Sequence, residues 1–451
     1  MNNRILRIEI DGLFDRFDYD IDISEFSDGI RILTAPNGYG KSTILKIIKN
    51  FSSGDYFYFI RERFKEIRIS LSSHGIVKIF REEGDRESGQ VTFQCNGNKS
   101  KIKDPFGNAE DDERAFYFDR AFPFLTRIGP RRWRHDRTGE IFDKSGILER
   151  YGDHPSFRRK LKREEWLEEI RKSITVFSIP TNRLKAEDDI PSGIDPAANS
   201  SLMVGSIAHE VRERIQNAIR RQFEVGRKKE TSFPTRLIES LRSGAITSRE
   251  SVTDSIKAVQ DYEERFARLG LVPQTGATKQ LNYHAESSET AGMLILKTYL
   301  DDIREKFSLL DDLAQQLDVF SRSINELIAF KSVETSADAG IVVRIPDGDK
   351  EALPLSALSS GEQHLLVLIG KLVFNTTKDS LVLIDEPEIS FHPEWQEKFL
   401  DILDEIRKLN SFSVLVATHS PILIGDRWDF VIELAEQHRS KEGNTNNGDE
   451  E

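Results

Sequence analysis

The fold is decided by the segment Ala35-Pro-Asn-Gly-Tyr-Gly-Lys-Ser-Thr43 and its flanks. Residues 29–34 before it form a short apolar run that predicts a strand, and residues 42–50 after it have helical spacing. A strand, a glycine loop and a helix in this order aim backbone N–H groups and a helix N-terminus at phosphate. The segment therefore predicts a phosphate-binding loop.

The motif Gly40-Lys41-Ser42 ends the phosphate-loop pattern, but Ala35 stands where the pattern has its first glycine. Lys41 is expected to reach the β- and γ-phosphates of ATP, and the Ser42 hydroxyl to hold Mg²⁺. The alternative is an ordinary glycine-rich turn. The candidate ATP-binding residues of this loop are Asn37, Gly38, Gly40, Lys41, Ser42 and Thr43.

A second motif, Leu358-Ser-Ser-Gly-Glu-Gln363, opens a run with helical spacing. A Ser-Gly turn at a helix N-terminus is suited to an anion, so Ser359, Gly361 and Glu362 are candidate ATP-binding residues. The alternative is that Ser359 is only an N-cap, a position at which serine is common.

Two further runs predict buried strands with polar tips. Leu381-Val-Leu-Ile384 is followed by Asp385 and Glu386. Adjacent side chains on a strand point to opposite faces, so Asp385 is assigned to Mg²⁺ and Glu386 to the attacking water. Phe412-Ser-Val-Leu-Val-Ala417 leads to His419, a candidate contact of the γ-phosphate or the water. The proposed catalytic residues are Glu386, His419 and Lys41.

Weaker candidates lie in the first half of the chain. Phe14 or Phe17 can stack on adenine, although packing in a sheet is at least as good an explanation. Gln90 or Gln94 can contact Mg²⁺, with exposed strand glutamines as the favoured alternative. Arg183 follows a strand-like run and is a candidate phosphate-side residue.

Composition limits the possible functions. The chain has 451 residues, a net charge of −12 and one cysteine, Cys95, so no disulfide within the chain is possible. No N-terminal apolar region resembles a signal peptide, and no apolar run reaches the ~18 residues of a membrane span. We expect a cytoplasmic protein without membrane contact, and no general coating of nucleic acid.

The segment from Arg127 to Arg163 is an exception, because it is rich in arginine, with Trp133 and Trp166 among the charged residues. Arginines with interleaved aromatic residues can bind nucleic acid or an acidic protein. Acidic residues follow at once, at 164–165 and 168–169, and favour a salt-bridged helix instead. Whether this segment binds DNA stays open at this stage.

The pattern as a whole predicts an α/β class. Three strand-like runs at 66–71, 76–80 and 90–94 predict an antiparallel layer, and Ile5–Ile10 an edge strand. Residues 201–330 are helical in spacing, with Pro234 expected to break the helix. We expect a first half of an ATPase head at 1–190, a helical arm at 191–335, a second half at 336–435 and a disordered polar tail at 436–451.

The motifs resemble those of ABC-type AAA ATPases of the SMC, RecF and OLD-nuclease class. In that class the phosphate loop, a Leu-Ser-x-Gly-Glu signature, an Asp-Glu-Pro-Glu strand tip and a Thr-His-Ser histidine follow in this order. Ala35 and Ser360 depart from the usual glycines. The resemblance implies an ABC-type head, a mixed central sheet plus an antiparallel layer, with an inserted helical arm. It implies that Ser359 and Gly361 act on the ATP of a second copy, so the active unit is at least a homodimer.

The separation of Lys41 from Ser359 is too long for a transporter cassette and too short for a chromosomal SMC protein. No nuclease domain is expected in the short stretch after His419. This layout is similar to ATPase subunits of bacterial anti-phage systems, AriA of PARIS and PtuA of Septu. That similarity implies an effector nuclease in trans, of Toprim or HNH type, and a phage-encoded trigger. The alternatives are a RecF- or SMC-like DNA repair ATPase and a non-hydrolysing scaffold.

Overall fold

The structure is a computed structural model, and it forms two compact units, residues 1–199 with 376–451 and residues 200–375. It describes the following residues: 3–24, 29–82, 89–103, 118–120, 122–136, 139–143, 146–147, 151, 164–181, 196–242, 247–272, 290–346 and 351–437. The predictions for Arg183, for residues 158–163 and for the tail beyond 437 lie outside these residues. The predicted domain limits at 190, 335 and 435 stay predictions.

The amino-terminal part of the first unit is rich in strands. Its elements are β1 (Ile5–Leu13), β2 (Phe17–Asp22), β3 (Ile30–Thr34), α1 (Lys41–Ser53), α2 (Tyr56–Arg61), β4 (Glu66–Leu71), β5 (Gly75–Phe80), β6 (Gln90–Cys95), β7 (Asn98–Lys103), β8 (Leu125–Gly129), β9 (Arg132–His135), β10 (Ile141–Asp143), α3 (Glu165–Ser173) and β11 (Val176–Ile179). The predicted antiparallel layer is a six-stranded sheet in the order β2-β1-β4-β5-β6-β7, and β8 to β10 form a separate three-stranded sheet.

The prediction that Ile5–Ile10 forms an edge strand is wrong. This stretch lies in β1, which pairs with β2 on one side and β4 on the other. The reason is local: residues 17–22 alternate between buried and exposed positions, so they form a strand that folds back antiparallel onto β1.

The second unit is mainly helical. Its elements are α4 (Pro196–Arg242, which begins in the first unit), α5 (Arg249–Arg268), α6 (Thr290–Ser308), α7 (Asp311–Asn325), β12 (Ser332–Ser336), β13 (Gly340–Arg344) and α8 (Ser360–Phe374). α6 packs against α5, and α7 packs against α8. The strands β12 and β13 form an antiparallel hairpin.

Pro234 does not break the helix as predicted, since α4 is continuous through it. A proline in a helix removes one backbone hydrogen bond. Arg236 crosses this turn, where its Nη2 donates to the carbonyl of Lys229 at 3.0 Å. The same guanidinium pairs with Asp302 of α6 at 2.5 Å. Arg236 therefore ties the turn of α4 around Pro234 to α6.

The chain returns to the first unit with β14 (Leu381–Asp385), α9 (Pro393–Asn410), β15 (Ser413–Thr418), α10 (Pro421–Ile424) and β16 (Val431–Glu433). These strands complete a five-stranded sheet in the order β11-β14-β15-β3-β16, and its described strands are all parallel. The residues Val382–Ile384 and Val414–Ala417 are fully buried, as strands covered on both faces require. The predicted α/β class, with an antiparallel layer and a helical insertion, is confirmed.

In the part of the chain that the structure describes, no helix has both the length and the apolar character needed to cross a bilayer.

Candidate active site

The parallel register brings the predicted site residues to one edge of the sheet. Asp385 at the end of β14 pairs with Ala417 of β15, and Thr418 of β15 pairs with Thr34 at the end of β3. The phosphate loop follows Thr34 directly. Ligands bind at the carboxyl ends of strands in such sheets, so one crevice collects all three strand tips.

The phosphate loop has the backbone expected of a glycine loop. Gly38 and Gly40 have φ values of 90° and 86°, in the left-handed region that favours glycine. A Cβ added at Gly40 would lie 3.1 Å from Cδ2 of Leu13, so space also excludes a side chain there. Asn37 and Gly38 are exposed, and Thr43 is half-buried in α1.

Lys41 is buried, with 5% of its surface exposed. Its Nζ donates to the carbonyl of Ala35 at 2.8 Å and contacts that of Pro36 at 3.4 Å. The Ala35 contact uses only a backbone oxygen, so the departure from glycine at this position does not remove it. Burial lowers the pKa of Lys41, and the carboxylates of Glu386 and Asp385 offset only part of this effect. A buried ammonium held by carbonyl oxygens is well suited to an incoming phosphate.

Ser42, Asp385 and Thr181 form an oxygen-rich cluster. The Ser42 hydroxyl donates to Oδ1 of Asp385 at 2.9 Å, and the Thr181 hydroxyl donates to Oδ2 at 3.0 Å. Hard oxygen ligands of this kind fit Mg²⁺, which usually keeps several waters and binds only one or two carboxylates. Accordingly, the described residues contain no group of three or more His, Cys, Asp or Glu side chains arranged for a metal.

Thr181 was not among the sequence candidates. It lies just past the end of β11, two residues before Arg183, the candidate chosen there. Thr181 can be placed only from the pairing of β11 with β14, in which Ile179 lies opposite Ile384. The sequence does not show this pairing. This pairing places the residues that follow β11 beside Asp385.

Glu386 and His419 are in direct contact. Nε2 of His419 lies 3.0 Å from Oε1 of Glu386, and Nδ1 lies 3.1 Å from Nζ of Lys41. Since an ammonium can only donate, we assign Nδ1 as an acceptor and place the proton of a neutral ring on Nε2. Glu386 itself has φ of 46°, a strained backbone for a residue other than glycine.

Glu388 is a second residue that the sequence candidates missed. Its Oε1 accepts hydrogen bonds from the Thr418 hydroxyl at 2.7 Å and from the backbone N–H of His419 at 2.9 Å. Its Oε2 is buried without a hydrogen-bond partner. Glu386 and Glu388, on either side of Pro387, thus hold the ring and the backbone of the same histidine. Glu388 is the last residue of the Asp-Glu-Pro-Glu motif, and this was the sequence signal that could have identified it.

The Ser359 segment belongs to the second unit. Ser359 is the N-cap of α8: its hydroxyl accepts from the N–H of Glu362, and the Glu362 carboxylate accepts from the N–H of Ser359. Ser359 is therefore an N-cap, as the alternative explanation predicted. A role of Ser359 in binding ATP stays a prediction. Ser359 and Ser360 are exposed, Gly361 is half-buried and Glu362 is buried.

The weaker aromatic candidates differ in placement. Phe17 is buried and lies 5.3 Å from the ring of Tyr39, so it packs as the alternative explanation requires. Phe14 is 38% exposed, and its ring lies beside Gly40 of the phosphate loop. Gln90 and Gln94 lie on β6 of the antiparallel sheet, where they pair with strand β7.

The interleaved aromatic of the basic segment is not available for base stacking. Trp133 is 2% exposed and its indole N–H donates to Asp119 at 2.7 Å. Arg132 and Arg134 flank it on β9 and are exposed. Trp133 is therefore not an aromatic partner for these two arginines, whereas Trp166, the second tryptophan of the prediction, is half-buried.

A phosphate loop between β3 and α1, with acids at the tip of β14, the next strand but one in the same parallel sheet, defines a P-loop nucleotide-binding domain. The chain matches, over residues 36–425, the family described as "AAA domain, putative AbiEii toxin, Type IV TA system". It belongs to this family of AAA domains.

Similarity to individual proteins is more limited. A stretch of 70 residues is 37% identical to protein ea59 of Escherichia phage lambda, covering 16% of this chain and 13% of that protein. Solved structures similar to this chain include the Smc head domain with an extended coiled coil from Pyrococcus furiosus, bound to the C-terminal domain of ScpA. For that structure the TM-score is 0.35 and the identity 14%, with 98% of this chain and 99% of that chain covered. The SMC head domain from Thermotoga maritima has a TM-score of 0.33 and an identity of 12%. This comparison covers 93% of this chain and 91% of that chain.

Proposed function

We propose that this protein is a Mg²⁺-dependent ATPase whose ATP-bound state assembles copies of the chain. The observation that carries the proposal is the continuous set of contacts Lys41–His419–Glu386, beside the Ser42–Asp385 pair. A phosphate-binding lysine, a candidate base and a metal-suited pair at one edge of a sheet are the parts that phosphoryl transfer to water needs.

Each residue has a distinct task. Lys41 neutralises charge on the β- and γ-phosphates, and the loop N–H groups of Gly38 and Gly40 orient them. Glu386 accepts a proton from the attacking water, and His419 holds the Glu386 carboxylate in place. Ser42 and Asp385 would hold Mg²⁺, with Thr181 orienting the carboxylate; the ion supplies charge neutralisation and alignment of the phosphates.

The contact between Lys41 and His419 allows bound ATP to change the surroundings of His419. Lys41 donates to His419 and to the Ala35 carbonyl. A phosphate that takes over the ammonium competes with the His419 contact. His419 then gains freedom to face the phosphate, and Glu388 still holds its backbone. ATP occupancy is thereby coupled to the tip of β15.

We further propose that the ATPase serves as a sensor and scaffold in bacterial anti-phage defence, acting in the cytoplasm. On this proposal it controls an effector nuclease supplied in trans and responds to a phage-encoded trigger. The family description, with its reference to a toxin and a toxin–antitoxin system, supports a role of this kind.

The test is phosphate release by the purified full chain with ATP and Mg²⁺. We expect the wild-type chain to hydrolyse ATP and Glu386→Gln to lower this turnover by about 100-fold or more, the usual effect of losing a general base. Glu397→Gln, on the exposed side of α9, is the matched control and should retain turnover. Turnover that is equal in both variants would refute the proposed site. The defence role is tested by phage plating on cells that carry the native locus with either variant.

A DNA-binding ATPase of repair is the second candidate, and the exposed Arg132 and Arg134 favour it. If it is correct, duplex DNA should raise ATP turnover, and binding should weaken steeply with salt. The double variant Arg132→Glu/Arg134→Glu should lose the effect. Turnover that does not respond to DNA would remove this candidate.

A further inference from the structure

Lys331 lies beside the Ser359 segment in the second unit. It directly precedes β12, and its ammonium lies 2.8 and 3.0 Å from the two carboxylate oxygens of Glu362. The same nitrogen lies 3.5 Å from the carbonyl of Ala357, just before the segment. Lys331 therefore connects the hairpin strand to the first turn of α8.

Both oxygens of the Glu362 carboxylate have partners inside the unit. Among the described residues, Oε1 is bound by Lys331, and Oε2 is bound by Lys331 and accepts from the Ser359 N–H at 2.6 Å. Burial raises the pKa of Glu362, but the hydrogen bonds from Lys331 and Ser359 outweigh it, so this pKa lies below its usual value. Glu362 is thus a charged group at neutral pH that orients the turn, rather than one free to contact a nucleotide.

Stability does not explain this arrangement well. The Glu362 side chain is 11% exposed and the Lys331 side chain 22%. Replacing a buried ion pair by apolar residues is often neutral or stabilising, since the two charges lose their hydration. Fixing one geometry is the best-attested use of such pairs.

We propose that Lys331 is a positioning residue for ATP hydrolysis: it anchors Glu362 and so fixes the start of α8, with its exposed Ser359 and Ser360, for docking on the nucleotide of a second copy. This inference rests on the proposed function, in which ATP assembles the chains. Lys331, which directly precedes β12, lies outside every motif that the sequence analysis identified.

The experiment compares steady-state ATP turnover with ATP affinity, using a fluorescent ATP analogue at low protein concentration. We expect Lys331→Met to lower turnover at saturating ATP by about tenfold. It should also raise the protein concentration that gives half-maximal turnover per chain. Affinity for the analogue should change less than about twofold, because Lys41 and its partners are untouched. Lys331→Arg should recover most of the turnover, and Lys257→Met, an exposed lysine of α5, should match the wild type.

Because Lys331→Met leaves Glu362 buried and unpaired, a second variant guards against misfolding. Lys331→Met/Glu362→Gln removes both charges and keeps the capping box, in which glutamine can replace glutamate. It should fold, bind the analogue and still turn over slowly. Wild-type turnover in this double variant would overturn the inference alone. Wild-type protein with no turnover at any concentration would overturn the proposed function and the inference with it.

Discussion

Nδ1 of His419 lies 3.1 Å from the ammonium nitrogen of Lys41, and Nε2 of the same ring lies 3.0 Å from Glu386. The histidine therefore bridges the phosphate-binding lysine and the candidate base. Its two nitrogens have opposite roles, one accepting and one donating. This bridge links the occupancy of the phosphate loop to the orientation of Glu386, and the following predictions depend on it.

His419→Ala should lower ATP turnover by about 100-fold, since Glu386 loses the group that orients it. ATP affinity should change by less than about threefold, because Lys41 keeps its carbonyl contacts and gains phosphate. The measurement is kcat and analogue binding on the same preparation. His209→Ala, at an exposed position of α4, is the control. A loss confined to ATP affinity would show that the histidine binds rather than aligns.

Glu388→Ala should destabilise the first unit by about 1–3 kcal/mol, because it leaves the buried Thr418 hydroxyl and the His419 N–H without an acceptor. Turnover should fall as well, since His419 is no longer held. Glu388→Gln keeps one accepting oxygen and should retain more of both properties. Urea unfolding and phosphate release check the two effects. Equal stability of Glu388→Ala and wild type would contradict the role given to this carboxylate.

Thr181→Val should raise the Mg²⁺ concentration required for half-maximal turnover by about tenfold, the usual order for losing a partner of a metal-ligating carboxylate. Valine has the shape of threonine but cannot donate to Asp385. At saturating Mg²⁺ the turnover should approach the wild-type rate. The control is Thr253→Val on an exposed face of α5. An unchanged Mg²⁺ requirement would remove Thr181 from the site.

ATP affinity should depend on pH through Lys41. Burial lowers the pKa of this lysine, and phosphate binds its protonated form. As pH rises, the free enzyme loses this proton earlier than an ordinary lysine with a pKa near 10.4 would. The apparent affinity should therefore begin to fall below that pH. Analogue titrations from neutral to alkaline pH, with circular dichroism to confirm folding, measure the effect. Affinity that stays constant until ordinary lysines titrate would contradict it.

Much of this arrangement follows from local sequence. The predicted buried runs correspond to β14 (Leu381–Asp385) and β15 (Ser413–Thr418), and the glycine loop leads into α1 (Lys41–Ser53). Apolar runs and glycine turns act over a few residues, so the sequence shows them. The placement of Lys41, Asp385, Glu386 and His419 at one sheet edge follows from parallel pairing.

The remainder depends on contacts between distant residues. Thr181 reaches Asp385 only through the register of β11 with β14, which the sequence does not display. The continuity of α4 through Pro234 is accompanied by a pair between Arg236 and Asp302 of α6, a helix distant in sequence. Likewise, Trp133 packs against Phe118 in the core and Asp119 accepts its N–H, and neither contact is visible in the pattern of charges. Each of these three cases involves a tertiary contact that local propensity does not show.

Native mass spectrometry of the Glu386→Gln variant with ATP and Mg²⁺ is the most direct test of ATP-driven assembly. A variant that binds ATP but cannot activate water should be trapped in the assembled state. We expect a dimer or larger assembly that retains one ATP per chain and disappears when ADP replaces ATP. A monomer without nucleotide, under conditions in which the wild type hydrolyses ATP, would contradict it.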